Sequence, residues 1–281
     1  MVRLLIYSLS LFVLCVSCQK TKWYKKDFSE VDQKEYAQQI LQGMLKSYYQ
    51  GTPPAEHMLF EAQKYDSTNA AIWRELGVPY LKRGYYHDSY YYYDQAVKFE
   101  PETWQGYRGY NYLYFYRDFD RAIADFNATD SLTLDFTDYP QGQSVDYMRG
   151  IAYYGLGNIE RSQEYLHKYI NEITSKSDES WVDTYAFLYC GLGYLKEEKP
   201  DSAILYFNKL IKYNSNLSDG YFHKASTLFY KGELVEAKKL VDKAEELFKT
   251  GSFHKRPYIE VLDQIYMEDI DKLKSQIQDV R

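Results

Sequence analysis

The chain repeats itself, and that limits its folds more than anything else in it. Counting from Tyr36, Ala70, Thr103, Gln143, Thr184 and Ser218, related runs of glycine, alanine and aromatic residues recur at spacings of 34, 33, 40, 41 and 34. The second unit is the clearest, with Trp73, Leu76, Gly77, Tyr80, Gly84, Tyr93, Ala96 and Pro101. The fifth keeps Gly191, Tyr194, Ala203 and Phe207, and the sixth keeps Ala225, Leu228, Gly232, Ala237 and Ala244. A period of this length means that each unit is one small helical element that cannot bury its own apolar face. Stacking the units buries a continuous core.

Trp73 to Pro101 resembles the tetratricopeptide pattern W-x2-L-G-x2-Y, followed by an aromatic, an alanine and a proline. The resemblance covers roughly residues 36–250. It implies an all-α, right-handed superhelical solenoid of about six helix pairs. Small residues such as Gly77 and Ala96 would let two antiparallel helices approach, and Pro101 would close the second helix of its unit. Two departures stand out: Gly109 and Tyr110 replace the usual Leu and Gly of the third unit, and Pro79 lies inside a predicted helix. Beyond the repeats, Tyr258, Val261, Leu262, Ile265, Ile270, Leu273 and Ile277 follow a helical spacing. This predicts a capping helix from Pro257 to about Val280, within residues 251–281.

In the tetratricopeptide family, ligands lie along the concave face, on the second, fifth, sixth, ninth, twelfth and thirteenth positions of each unit. The resemblance therefore implies a partner-binding groove made by Arg74, Trp104, Tyr107, Arg108, Asn111, Tyr114, Tyr147, Tyr154, Tyr185, Tyr189, Phe222, His223 and Tyr230. Aromatic and arginine side chains are common anchors of binding energy. With 33 tyrosines in the chain, any helical face would also collect some. The run Tyr85, Tyr86 and Tyr90 to Tyr93 reads as core and convex surface. Two longer connections, Asp130–Gln143 and Ile173–Asp183, read either as functional loops or as tolerated insertions.

The N-terminus is an address. Arg3 precedes an apolar run from Leu4 to Val16, too short for a comfortable transmembrane span and suited to a secretory signal. Its end, Leu14-Cys15-Val16-Ser17-Cys18, resembles a bacterial lipoprotein signal. That resemblance implies removal of residues 1–17, a lipid on Cys18 and a tether over residues 18–35, with Gln19 pointing to the outer membrane facing the periplasm. Lys20, Lys22, Lys25 and Lys26 would then either lean on anionic head groups or form a solvated tether. Cys190 would be the one thiol left, too few for an internal disulfide or a metal site.

A net charge of −6 argues against nucleic acid as the main partner, because phosphate binding needs a basic face. The histidines His57, His87, His167, His223 and His254 lack metal-ligand spacing, and no phosphate loop or nucleophile elbow is present. No catalytic residue or cofactor is assigned. The expected function is a membrane-anchored scaffold that binds protein or peptide segments. A glycan or solute receptor and a toxin-neutralising lipoprotein are the alternatives.

Overall fold

In the computed structural model, which describes residues 29–134 and 136–279, each repeat is a pair of antiparallel helices. The pairs are α1 (Glu30–Ser47) with α2 (Pro53–Tyr65), α3 (Ala70–Lys82) with α4 (Tyr86–Phe99), and α5 (Pro101–Asn111) with α6 (Phe119–Leu132). They continue with α7 (Val145–Gly155) and α8 (Ile159–Lys176), α9 (Thr184–Lys196) and α10 (Pro200–Tyr213), and α11 (Ser218–Tyr230) and α12 (Leu234–Lys249). A final helix, α13 (Met267–Asp279), packs on the last pair. This is the all-α solenoid of six pairs that the period implies. Among the described residues, no helix is long and apolar enough to cross a membrane.

The helix ends explain the pairing. Asn69, Asp118, Asn158 and Asp183 accept backbone N–H groups at helix starts, while Pro53, Pro101 and Pro200 occupy first-turn positions where no N–H is needed. Between the two helices of every pair, one residue adopts the left-handed conformation. Gly51, Gly84, Gly157 and Gly232 do so freely, but Arg117 (φ 52°) and Glu198 (φ 58°) hold the same place in the third and fifth units. In the third unit a π-helical turn, Tyr112–Tyr116, lengthens α5 before Arg117. Pro79 sits within α3, which continues to Lys82.

The contacts inside each pair follow the small residues. A Cβ on Gly191 would run into the Phe207 ring, so α9 and α10 approach only because that position is bare. One buried ionic cluster was not visible in the repeat pattern. Arg149, 1% exposed, donates to Asp146 (2.6 Å), to Asp130 (2.7 Å) and to the Phe126 carbonyl (2.7 Å), tying α7 to α6. Lys168 of α8 reaches the other Asp146 oxygen at 2.8 Å.

Two boundaries differ from the sequence expectation. Helix α1 starts at Glu30, inside the expected tether, because Ser29 and Asp32 form a reciprocal capping box. At the other end, residues 251–266 are not helical, and the closing helix is only Met267–Asp279. Pro257 cannot donate to a preceding turn, and Tyr258 (φ 70°) and Asp263 (φ 51°) are left-handed. The apolar residues that mimic a helical period here are used by an irregular segment that folds back over the solenoid.

Candidate binding groove

The first helices of the pairs line one face, and the 251–266 segment lies along it. It leaves α12 through Gly251 (φ 79°), and the Ser252 carbonyl accepts from the Ser218 N–H at 2.8 Å. His254 and Arg256 then point inward while Lys255 and Pro257 are exposed, the alternation of extended chain. The His254 N–H donates to Asp219 at 2.8 Å, and its ring stacks on Tyr185 at 3.8 Å. The Arg256 guanidinium lies 3.9 Å from the Tyr114 ring centre, and donates to the Tyr110 hydroxyl (3.1 Å) and the Gln143 side-chain oxygen (2.8 Å).

The chain reverses at Pro257 and Tyr258, where Arg256 and Ile259 face each other in an isolated antiparallel bridge. At this tip Lys82 of α3 sits over the Tyr258 ring at 5.7 Å. On the return, Arg117 donates to the Glu260 carbonyl at 2.9 Å and the Tyr189 hydroxyl donates to the Leu262 carbonyl at 3.3 Å. Val261 and Ile265 are buried before α13 begins. The segment is thus a hairpin that enters the groove beside the sixth pair, reaches the second, and returns.

This arrangement sets the electrostatics. Burial pushes the His254 imidazole down to about 3, with Arg256 adding to the effect, so it is neutral where it stacks. Burial also raises the Asp219 carboxyl to about 6, against the stabilising N–H of His254. Burial, followed by the Asp263 carboxylate beside it, lifts the Tyr154 phenol. His223 is pushed down to about 4 by burial, which outweighs Asp263 and Asp269.

The residues expected to bind a partner fall into three sets. Tyr114, Tyr154, Tyr185 and Tyr189 meet the hairpin directly, with Tyr147 buried beneath them. Arg74, Tyr107 and Asn111 line an open cleft of about 230 Å³ beyond the hairpin tip, together with Lys82, Gln141 and Tyr258. There Arg74 pairs with Glu75 and lies over the Tyr107 and Trp104 rings at 5.1 and 5.8 Å. Asn111 is 0% exposed, and neither side-chain amide atom has a hydrogen-bond partner.

The third set stands apart. Arg108 is held between α4 and α6 by Asp94 (2.6 Å) and Asp125 (2.7 and 2.8 Å). Phe222 packs toward the closing helix, His223 stacks on Phe207 of α10 at 5.7 Å, and Tyr230 is 77% exposed. Cys18, with the signal and residues 18–28 of the tether, lies outside the described residues. Cys190 is buried and free, its thiol pushed up by burial. Among the described residues no cluster of His, Cys, Asp and Glu is placed to hold a metal ion.

The sequence did not reveal the occupant, with its His254 and Arg256, nor Tyr110, Gln143, Arg117 and Asp219, which grip it. Pro257, six residues after Gly251, was the available signal, since that pair punctuates the chain where a helix was expected to begin.

No family model matches this chain, and no curated protein sequence matches it. Solved structures do. The crystal structure of PilW, a widely conserved type IV pilus biogenesis factor, is similar over 88% of this chain and 99% of its own, at 14% identity and a TM-score of 0.60. A tetratricopeptide repeat protein from Parabacteroides merdae is similar over 92% and 87%, at 15% identity and a TM-score of 0.52. Cut9–Hcn1, an APC/C hetero-tetramer, is similar over 96% of this chain and 52% of the matched one, at 10% identity and a TM-score of 0.57. At such identities the likeness concerns architecture alone: the chain has a tetratricopeptide-type fold.

Proposed function

We propose that this chain is a lipid-anchored scaffold of a bacterial cell envelope that binds a polypeptide segment in its concave groove. The observation that carries this is the groove's own occupant. Arg117 and Tyr189 donate to backbone carbonyls, and the Tyr114 and Tyr185 faces take an arginine and a histidine. That chemistry recognises extended polypeptide. The ring faces that a sugar would stack on are the ones Arg256 and His254 cover, which favours peptide over glycan. The lipoprotein-like signal ending at Cys18 supports both the anchor and the envelope setting.

Photo-crosslinking in living cells tests this without truncating the core. A photoreactive residue at Lys82, Gln141 or Tyr258 is expected to capture a discrete protein, while one at Leu205 or Val235, exposed on second helices, captures none. Equal capture from both faces, or none from the groove, would sink the groove reading. In the same cells Cys18→Ala is expected to move the chain out of the membrane fraction, and an unchanged distribution would remove the anchor.

A further inference from the structure

Arg256 occupies a costly position. Its guanidinium is half-buried and meets two tyrosine rings, a hydroxyl and an amide oxygen, and among the described residues no carboxylate is in hydrogen-bond contact with it. An apolar side chain would fill such a gap with no charge to desolvate, so the arrangement is a poor way to gain stability. It is a good way to recognise a guanidinium: planar faces on one side, oriented acceptors on the other. The half-buried Asp183 and the buried Asp219 on the floor disfavour an anion there.

The hairpin that delivers Arg256 combines buried anchors, His254 and Val261, with a strained and exposed tip. Its tip residue Tyr258 is left-handed (φ 70°), a strained conformation for an aromatic residue. Its tip is solvent-facing, with Tyr258 64% exposed. The closing helix buries Ile270, Leu273 and Ile277 against the last pair, in a cluster that Phe253 and Ile265 at the two ends of the segment also join, so contacts of its own hold the cap beside those the hairpin supplies. Past the tip the groove continues into the cleft, in whose wall the Asn111 amide is buried with neither its donor nor its acceptor satisfied.

We infer that residues 253–262 are an internal ligand, and that the partner is a polypeptide that displaces them by seating an arginine between Tyr110, Tyr114 and Gln143. This rests on the groove being the binding site proposed above, and it adds the chemistry of the partner and the need for displacement.

The probe is a fluorescent peptide of residues 252–262, titrated by anisotropy into the full-length chain in detergent. Three proteins are compared: wild type, Arg256→Ala, and a variant with residues 253–262 replaced by glycine and serine at equal length. Circular dichroism checks the fold of each, and Arg256→Ala suffices if the longer replacement unfolds. Both variants are expected to bind the peptide at least 10-fold more tightly than wild type, because the tethered hairpin no longer competes at high effective concentration. A peptide with alanine in place of the arginine is expected to bind at least 10-fold more weakly.

Equal binding of the two peptides, or equal binding by wild type and variants, overturns the inference. So does a wild-type dimer that forms with rising concentration by exchanging hairpins, since the occupant would then be a second copy. Groove crosslinks in cells without arginine-dependent peptide binding remove this inference and leave the scaffold role. Peptide binding without crosslinks removes the scaffold role and with it the displacing partner, and leaves the hairpin as an intramolecular closure.

Discussion

Arg117 and Glu198 occupy the same left-handed turn position, yet they do different things. A side chain there costs about 1 kcal/mol relative to glycine. Glu198 makes no contact with the hairpin among the described interactions, so Glu198→Gly is expected to stabilise the protein by about 0.5–1 kcal/mol. Arg117→Gly removes the same strain but also the donor to the Glu260 carbonyl, and is expected to gain nothing. Urea denaturation of the two variants checks this, and an equal gain in both would deny Arg117 a role in holding the hairpin. At this scale the sequence located side chains on one face: Tyr114, Tyr154, Tyr185 and Tyr189, named from their repeat positions, lie where the chain's own hairpin packs. Tyr110 and Gln143 fall outside those positions, so no periodic argument reaches them, although they bond directly to Arg256.

The paired helices were legible because small and aromatic residues recur with the period, and several starts carry a cap or proline, such as Asn69, Pro101, Asp183 and Pro200. The hairpin was not, because Tyr258, Val261, Leu262 and Ile265 fit a helical spacing equally well, and only tertiary contacts decide between the two. Those contacts titrate. His254 is neutral down to about 3 in the folded chain, against an ordinary value of 6.5. The unfolded chain therefore binds that proton first, and stability is lost as pH falls from about 6.5 toward 3. His223, held at about 4, acts in the same direction. Asp219, raised to about 6, opposes them by taking its proton first in the folded state, and Asp183, also raised, does likewise. Arg256 stays charged throughout. His254→Phe keeps the stack on Tyr185 and isolates one proton. Between pH 6 and 4 its stability is expected to fall less steeply than wild type, by about 1.4 kcal/mol per pH unit. Parallel pH profiles would mean that His254 does not anchor the hairpin as drawn.

An array of stacked pairs is ordinarily held together only through neighbours, so a local change fades within a repeat or two. Here the hairpin joins the sixth pair to the second through Ser218, Asp219, Tyr110, Arg117 and Lys82. Arg256→Ala is therefore expected to raise amide hydrogen exchange in α3, α5 and α9 as well as in the hairpin, leaving α1 and α2 unchanged. A change confined to residues 252–262 would show that the array remains one-dimensional. The number of pairs was readable from the period, whereas this long-range closure was not, since it arises from a segment outside the repeats.

The closure also has a direction in time. Every helix that lines the groove precedes the hairpin in the chain, so as the protein is made, the groove is complete while its cover is still to come. A nascent chain halted at α12 presents Tyr110, Tyr114 and Gln143 with no arginine of its own between them. On the proposal that the hairpin is an internal ligand, the newly made protein passes once through its most receptive form, before that competitor exists.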